Sequence, residues 1–172
     1  MATIEYVEVP EPLGIFAGEL FKRGLEYLEA LEVLAQQSDR KLLYASYFLF
    51  AHSLELLLKS FLAANGVSKR DIRFRLGHKL PDIMDLCERH SIPHVNNLKE
   101  YSAHTFEMNR DLDFRYPSGY NLSMPRPTEC IPIARALVAA IEPVVSRAAM
   151  SAQIQFVSET AALRGKKIRW SD

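Results

Sequence analysis

Apolar residues recur at helical spacing along most of the chain. Between about 13 and 36 they return every three or four positions, with Glu, Lys and Arg between them, which predicts an amphipathic helix. The following run, KLLYASYFLFAHSLELLLKSFLAANG, is apolar nearly all round, as is typical of a central buried helix. Ser38 or Asp39 fits its N-cap and Gly66 its C′ position. Its serines at 46, 53 and 60 would let a neighbouring helix approach closely.

Three shorter helices are predicted after this one, at about 79–90, 95–115 and 129–149. Pro93 separates the first two, and a Pro-rich loop from 117 to 127 precedes the last. Within the last helix, Pro132 fits the first turn, whereas Pro143 is expected to kink the helix or to end it early. No convincing strand is visible, although the tail after 151 has room for a short one.

These elements predict an all-α fold, an up-and-down bundle of four to five helices. The 172 residues suffice for a single domain, here 1–150, with a C-terminal extension, 151–172, that packs on the bundle or on a partner. The first helix and the region from Phe156 to Trp170 carry more apolar residues than a minimal bundle needs. We therefore expect a homodimer.

The composition narrows the possible functions. The 21 Lys and Arg residues balance 21 Asp and Glu residues, so nucleic-acid binding would need a local basic patch. Two cysteines are too few for a disulfide framework. The N-terminus lacks a positive region followed by an apolar run, and no uninterrupted apolar stretch approaches the length of a membrane span. We expect a cytoplasmic protein that does not enter a membrane.

Polar side chains form a stripe on the second helix. His52, Glu55 and Lys59 share one face with Tyr44 and Phe48. Buried charges must be paired, so this stripe needs partners or an open cleft. One interpretation is an intrahelical Glu55–Lys59 pair beside a satisfied core histidine, and the other is a polar cleft between helices.

A basic run connects the second and third helices. Its cations are opposed only by Asp71, and Phe74 stands among them: Lys69, Arg70, Arg73, Arg75 and Lys79. Such a run can hold phosphates electrostatically, although a solvated loop is the commoner role of a charge run of this size. Gly77 and His78 follow, where a turn and a helix start are expected.

One spacing is typical of metal ligands. Cys87, His90 and His94 follow a C-x2-H-x3-H pattern, but a structural zinc needs a fourth ligand, for which only His104 or Asp85 is at hand. Cys87 also falls on the apolar face of its helix. The sequence contains no Gly-rich phosphate loop and no His-Glu-x-x-His. We therefore predict neither a metal nor a cofactor.

The order of these segments resembles HEPN domains (higher eukaryotes and prokaryotes nucleotide-binding). The resemblance spans about 40–145 and rests on HSLELLLKSFLAANG, a basic connection, and then LGHKLPDIMDLCER. It implies a four- or five-helix bundle, commonly dimeric. Many members are metal-independent ribonucleases of toxin–antitoxin and defence systems, and others bind nucleic acid, nucleotide or a partner protein without catalysis.

Catalytic members of that family carry an Arg, four to six residues, and then a His, often with a polar residue after the Arg. The Arg clamps the scissile phosphate, and the His transfers protons near neutral pH. In RDLDFRY, Arg110 and Asp111 match the first half, but Arg115 stands where the His would be. Arginine cannot supply the proton chemistry, because its pKa is above about 12. The resemblance thus implies a phosphate clamp that lacks its base.

Three interpretations remain open. The first is a non-catalytic HEPN-like domain that binds nucleic acid, nucleotide or an antitoxin-like partner protein. The second is a ribonuclease with a relocated histidine, for which the candidates are His52, His78 and His104. The third is a structural homodimer in which Asp111–Arg115 and Glu107–Arg110 pairs merely close a helix. The candidate ligand-binding residues are Arg110, Asp111, Arg115, Tyr116, His52, Glu55, Lys59, Arg73, Arg75, His78 and Lys79.

Overall fold

The computed structural model describes residues 6–37, 42–116 and 122–171. It confirms the all-α class, because most described residues are helical and the strands form one small sheet. The elements in chain order are β1 (Tyr6–Pro10), α1 (Leu13–Ala35), α2 (Leu43–Ala64), a π-helical turn (Asp71–Arg75), α3 (Leu80–Arg89), α4 (Leu98–Met108), α5 (Pro127–Glu159), a 3-10 turn (Ala161–Leu163) and β2 (Lys167–Ser171).

The second helix, α2, is the centre of the bundle, as its pattern predicts. It packs against α1, α3, α4 and α5. Its largest fully buried side chains are Phe50, Leu54, Leu57, Leu58, Phe61 and Leu62. By length and composition alone α2 could cross a membrane, but 67% of its most apolar 18-residue window is buried inside the protein. An all-round apolar surface is what a core helix requires.

The C-terminal end of α2 is closed by Gly66, as predicted. Gly66 has a φ of +88°, and its N–H donates to the Ala63 carbonyl while the N–H of Val67 donates to the Leu62 carbonyl. This is the Schellman arrangement, which favours glycine at the left-handed position. The N-cap candidates Ser38 and Asp39 lie outside the described residues.

Small residues bring α1 against both α2 and α5. Ser53 Oγ donates to the Gly24 carbonyl at 2.8 Å, which confirms the close approach expected at that serine. The hydroxyls of Ser46 and Ser60 instead donate to carbonyls of their own helix. On the other side of α1, a Cβ added at Gly14 would lie 2.3 Å from the Ala148 carbonyl oxygen. The α1–α5 contact therefore depends on Gly14 having no side chain.

The last helix is longer than the sequence predicts. Pro127, and not Pro132, occupies its first turn, and the helix runs through Pro143 to Glu159 instead of ending near 149. Pro143 is exposed, whereas Ile141 and Val145 on either side of it are buried. Packing of both halves outweighs the one backbone hydrogen bond that proline removes. The first part of the predicted extension is thus a continuation of α5.

The fourth helix is shorter than predicted, ending at Met108 and not near 115. Asn109 Oδ1 accepts the N–H of Phe114 at 3.1 Å, and Leu112 adopts a φ of +64°. These features turn the chain back so that Phe114 is buried against Tyr47 of α2. Arg110 and Arg115 therefore lie on a turn and not on a helix.

The chain's two ends form a sheet that the sequence only partly indicated. β1 pairs in parallel with β2, in the register Val7–Ile168 and Val9–Trp170. β2 agrees with the room for a short strand after 151, whereas the sequence pattern does not predict β1. The Trp170 ring packs edge-on against Phe156 of α5, with 5.0 Å between ring centroids. The sheet thereby docks on the C-terminal half of α5.

Candidate functional site

One cleft of about 390 Å³ is lined by six of the eleven predicted ligand-binding residues: His52, Glu55, His78, Lys79, Arg110 and Arg115. It lies between α2, the segment that leads into α3, and the C-terminal end of α4. We call it the histidine cleft and define it by its lining residues: Phe48, Ala51, His52, Glu55, His78, Lys79, Leu80, Thr105, Phe106, Asn109, Arg110, Leu112 and Arg115.

Glu55 of α2 lines the cleft and has two partners, the buried Lys59 and the exposed His78. Lys59 Nζ lies 2.7 Å from Glu55 Oε1, and their side chains are only 8% and 9% exposed. His78 Nδ1 lies 2.9 and 3.0 Å from the two Glu55 oxygens. An ionised carboxylate only accepts hydrogen bonds, so the Nδ1–H of His78 is the donor to Glu55. The two interpretations of the α2 stripe were a buried Glu55–Lys59 pair and a polar cleft, and the structure contains both.

The second histidine of the cleft stands in an aromatic surround. His52 stacks on Phe48 with 5.7 Å between ring centroids, and Tyr27 of α1 meets it edge-on at 4.6 Å. Burial lowers the pKa of His52, an effect that Glu55 opposes and that Arg115, His78 and Lys59 reinforce. His52 is therefore held mainly in its neutral form at neutral pH.

The lowered pKa of His52 predicts how the stability of the protein depends on pH. The unfolded chain binds a proton on His52 more readily than the folded chain does. The stabilising contribution of the neutral His52 side chain is therefore present above about pH 6.5 and is lost as pH falls. We expect the wild type to lose more free energy of unfolding than His52→Gln between pH 7.5 and 5. Urea denaturation at both pH values measures this, and identical losses in the two proteins would contradict it.

The wall opposite α2 carries the cations. Arg110 lies on the turn after α4, where Nη1 is 3.1 Å from Glu107 Oε1 in an exposed pair. The Arg115 guanidinium stands 5.2 Å from the Phe48 ring centroid, a cation–π contact. Lys79 comes from the segment before α3, and no described carboxylate lies within salt-bridge distance of it. Since Lys59 already offsets Glu55, the cleft is cationic.

The remaining predicted residues lie outside this cleft. Asp111 and Tyr116 are exposed and do not line it, and the Asp111–Arg115 pair of the helix-end interpretation is not among the described ion pairs. His104 points elsewhere, with Nε2 2.5 Å from the Ser123 carbonyl oxygen. Arg75 pairs with Asp71 at 2.9 Å on the surface. Of the helix-end pairs, only Glu107–Arg110 is present.

The C-x2-H-x3-H spacing does not assemble into a site. The described residues contain no group of three or more His, Cys, Asp or Glu residues arranged to hold a metal ion. Cys87 is buried in the core, where its thiol lies 3.5 Å from the Leu58 carbonyl oxygen, and burial raises its pKa. Deprotonation to a thiolate ligand is therefore unfavourable there.

The sequence did not indicate the α4 side of the cleft. Thr105 is buried on α4, yet it also lines the cleft. Phe106 and Asn109 gave no functional signal of their own. Asn109 contributes through its side chain, which holds the turn that carries Arg110 and Arg115. The only indication in the sequence of a role for Asn109 is its position immediately before Arg110 and Asp111.

Chemically, the cleft offers hydrogen-bond donors to an anion and imidazole nitrogens for proton transfer. Arg110 and Arg115 present planar forks that suit phosphate oxygens, and Lys79 adds a point charge. Histidine is the side-chain type most often used for proton transfer near neutral pH, and two histidines line the cleft. Comparison with protein-family models, with curated proteins and with solved structures found no match to this chain. The chemistry of the cleft is therefore the ground for assigning a function.

Proposed function

We propose that this chain is a HEPN-like domain that binds an RNA or nucleotide phosphate in the histidine cleft. The observation that carries the proposal is the meeting of Lys79, Arg110 and Arg115 around one cleft, from two segments that are distant in sequence. A surface that merely solvates charge has no reason to gather cations in a concavity, where their mutual repulsion is greatest. A bound phosphate would offset that repulsion.

The arrangement of the partners supports an anionic ligand. Arg110 has one exposed partner, Glu107, and a phosphate could displace that contact at little cost because exposed pairs contribute little. Arg115 is held over an aromatic ring, which leaves its N–H groups available. The one carboxylate that lines the cleft, Glu55, is already occupied by Lys59 and His78. The volume of about 390 Å³ is in the range of small-ligand pockets.

The setting follows from the resemblance. The helical bundle, the basic connection and the Gly-His-Lys-Leu segment that leads into α3 resemble those of HEPN domains, which supports a role in prokaryotic stress or defence, of the toxin–antitoxin kind. In that setting the chain would act as a homodimer or with an antitoxin-like partner protein. These assignments stand on the resemblance and on the cleft together.

Binding to labelled single-stranded RNA, measured by fluorescence anisotropy at 50 and 200 mM salt, tests the proposal. We expect binding at low salt, and the double variant Arg110→Ala/Arg115→Ala to weaken it about tenfold or more, because hydrogen bonds from charged groups contribute most to phosphate binding. The slope of the logarithm of the binding constant against the logarithm of the salt concentration should decrease in magnitude by about one for each arginine removed.

A matched control is Arg147→Ala, which removes an exposed arginine of α5 outside the cleft. It should leave the affinity nearly unchanged. Absence of binding at 50 mM salt, or equal affinities for the double variant and the wild type, would refute the proposal. Competition by AMP distinguishes a nucleotide ligand from one that needs the polymer.

A metal-independent ribonuclease is the second candidate, because one observation favours it. His52 and His78 line the same cleft as the arginines, and Glu55 orients His78 through Nδ1, so that Nε2 is the ring nitrogen that Glu55 does not engage. A base and an acid beside a phosphate clamp are what cleavage through the ribose 2′-OH requires. RNA cleaved in the presence of EDTA by the wild type, and left intact by His78→Ala, would replace the binding proposal with this one.

A further inference from the structure

Phe74 is the most exposed large apolar residue among the described residues, with 79% of its surface open to solvent. It lies on the π-helical turn Asp71–Arg75, in which Ile72 is buried in the core. Leu76, just after the turn, is buried as well. The turn is thus anchored on both sides of Phe74, and its ring is held outward.

The surroundings of this ring are strongly basic. Five cations lie from Lys69 to Lys79 against the single carboxylate of Asp71. Lys69 pairs with Glu11 at 2.8 Å, and Arg75 pairs with Asp71. Arg70 has no carboxylate within salt-bridge distance among the described residues, like Lys79. Single exposed apolar residues are common, but an aromatic ring between two arginines on a cationic ridge is a feature of surfaces that bind single-stranded nucleic acid.

The ridge joins the histidine cleft to a second one. On one side, His78 and Lys79 line the histidine cleft. On the other, Arg73 lines a cleft of about 680 Å³ between α1, α5 and β2, which we call the aromatic cleft: Glu11, Ile15, Phe16, Glu19, Leu20, Arg23, Arg73, Gln153, Phe156, Trp170 and Ser171. His78 is five positions after Arg73, so their Cα atoms are at most about 18 Å apart.

The aromatic cleft has groups suited to a nucleotide. Arg73 and Arg23 supply cations, and the Arg73 guanidinium stands 5.5 Å from the Phe16 ring centroid. Trp170 is partly exposed beside Phe156, so one of its surfaces is open to a planar ligand. Of the two carboxylates, Glu11 is paired with Lys69, which leaves Glu19 as the one repulsive group.

We infer that the ridge Arg73–Phe74–Arg75 is a base-stacking platform for single-stranded RNA. This inference rests on the proposed function. A strand whose phosphate occupies the histidine cleft would cross the ridge, stack a base on Phe74 and extend toward Trp170. Duplex RNA keeps its bases stacked inside the helix, so only a single strand can use the ring.

Anisotropy with a 12-nucleotide RNA, with its duplex form and with labelled AMP tests the platform. Loss of one stacked base weakens binding by about fivefold or more, so Phe74→Ala should lower the 12-mer affinity by at least that factor. Phe74→Tyr should keep it, and AMP affinity should be the same in all three proteins. Val33→Ala, which truncates an exposed apolar residue of α1 that lines neither cleft, is the matched control and should bind as the wild type does.

Trp170 is the only tryptophan of the chain, so its emission reports on the aromatic cleft. We expect quenching by the 12-mer. Unchanged emission on 12-mer binding would overturn the path toward Trp170. Equal affinities for the single strand and the duplex would overturn the choice of ligand.

The variants separate this inference from the proposed function. Phe74→Ala binding the 12-mer as tightly as the wild type, while Arg110→Ala/Arg115→Ala binds weakly, would overturn the platform alone. A wild type that binds no RNA would overturn both. If sedimentation shows that Phe74→Ala dissociates an oligomer and RNA binding is unaffected, the ring is a protein contact and the platform is likewise refuted.

Discussion

Replacing Lys59 with methionine is expected to lower the free energy of unfolding by about 3–5 kcal/mol, the cost of breaking a buried ion pair from one side. Methionine fills a similar volume, so the change removes the charge without leaving a large cavity. Glu55 would then be a buried carboxylate with His78 as its remaining partner. Burying a charge without its counter-ion is far more costly than losing the pair altogether.

The double variant Glu55→Gln/Lys59→Met separates these contributions. Because it removes both charges, we expect it to recover most of the stability lost by Lys59→Met, and a double-mutant cycle from urea midpoints gives the coupling. Lys99→Met is the control, since Lys99 makes exposed pairs with Glu88 and Asp85 and should leave the midpoint nearly unchanged. A Lys59→Met protein as stable as the wild type would show that Glu55 is not held by Lys59.

The Glu55–Lys59 pair also shows why the sequence predicts only part of the site. The spacing of His52, Glu55 and Lys59 places them on one face of α2 whatever the surroundings, because helical geometry is local. The same spacing cannot say which segment covers that face. The approach of His78 to Glu55 depends on how the π-helical turn folds back, which is a tertiary contact between residues 23 positions apart.

The prediction for RDLDFRY failed for a related reason. Its i,i+3 and i,i+4 charge spacing and the Pro at 117 favour a helix that runs to 115. The structure ends α4 at Met108, because burial of Phe114 against Tyr47 and the Asn109 hydrogen bond stabilise the turn instead. Tertiary packing overrides helix propensity here, and it moves Arg110 and Arg115 from a helix end to the wall of a cleft.

The two ends of the chain were the hardest part to predict. Residues 6–10 and 167–171 pair across nearly the whole sequence, and each strand is only five residues long. A two-stranded sheet is marginal by itself, so its existence depends on docking against α5 through Phe156 and Trp170. Short segments with so few alternating positions carry little periodic signal.

Gly14→Val is expected to cost ~3 kcal/mol, at the upper end of what overpacking costs, because the added Cβ would overlap the Ala148 carbonyl oxygen at 2.3 Å and Ala152 Cβ at 2.8 Å. The obstacle is backbone of α5, which cannot rotate away as a side chain does, so α1 and α5 must separate. Phe16 and Phe156 lie on these two helices and line the aromatic cleft, so the separation should widen it.

Two measurements follow from that geometry. The urea midpoint should fall, and the emission of Trp170, which packs on Phe156, should shift toward that of a solvated tryptophan while the protein is still folded. Gly18→Ala is the graded control, because its Cβ would meet only Ala149 Cβ, at 3.1 Å, and a smaller loss is expected. If Gly14→Val kept the wild-type midpoint and emission, close α1–α5 packing would not be what positions the aromatic cleft. If Gly14→Val lowered the urea midpoint no more than Gly18→Ala does, Gly14 would have no special role in the α1–α5 contact.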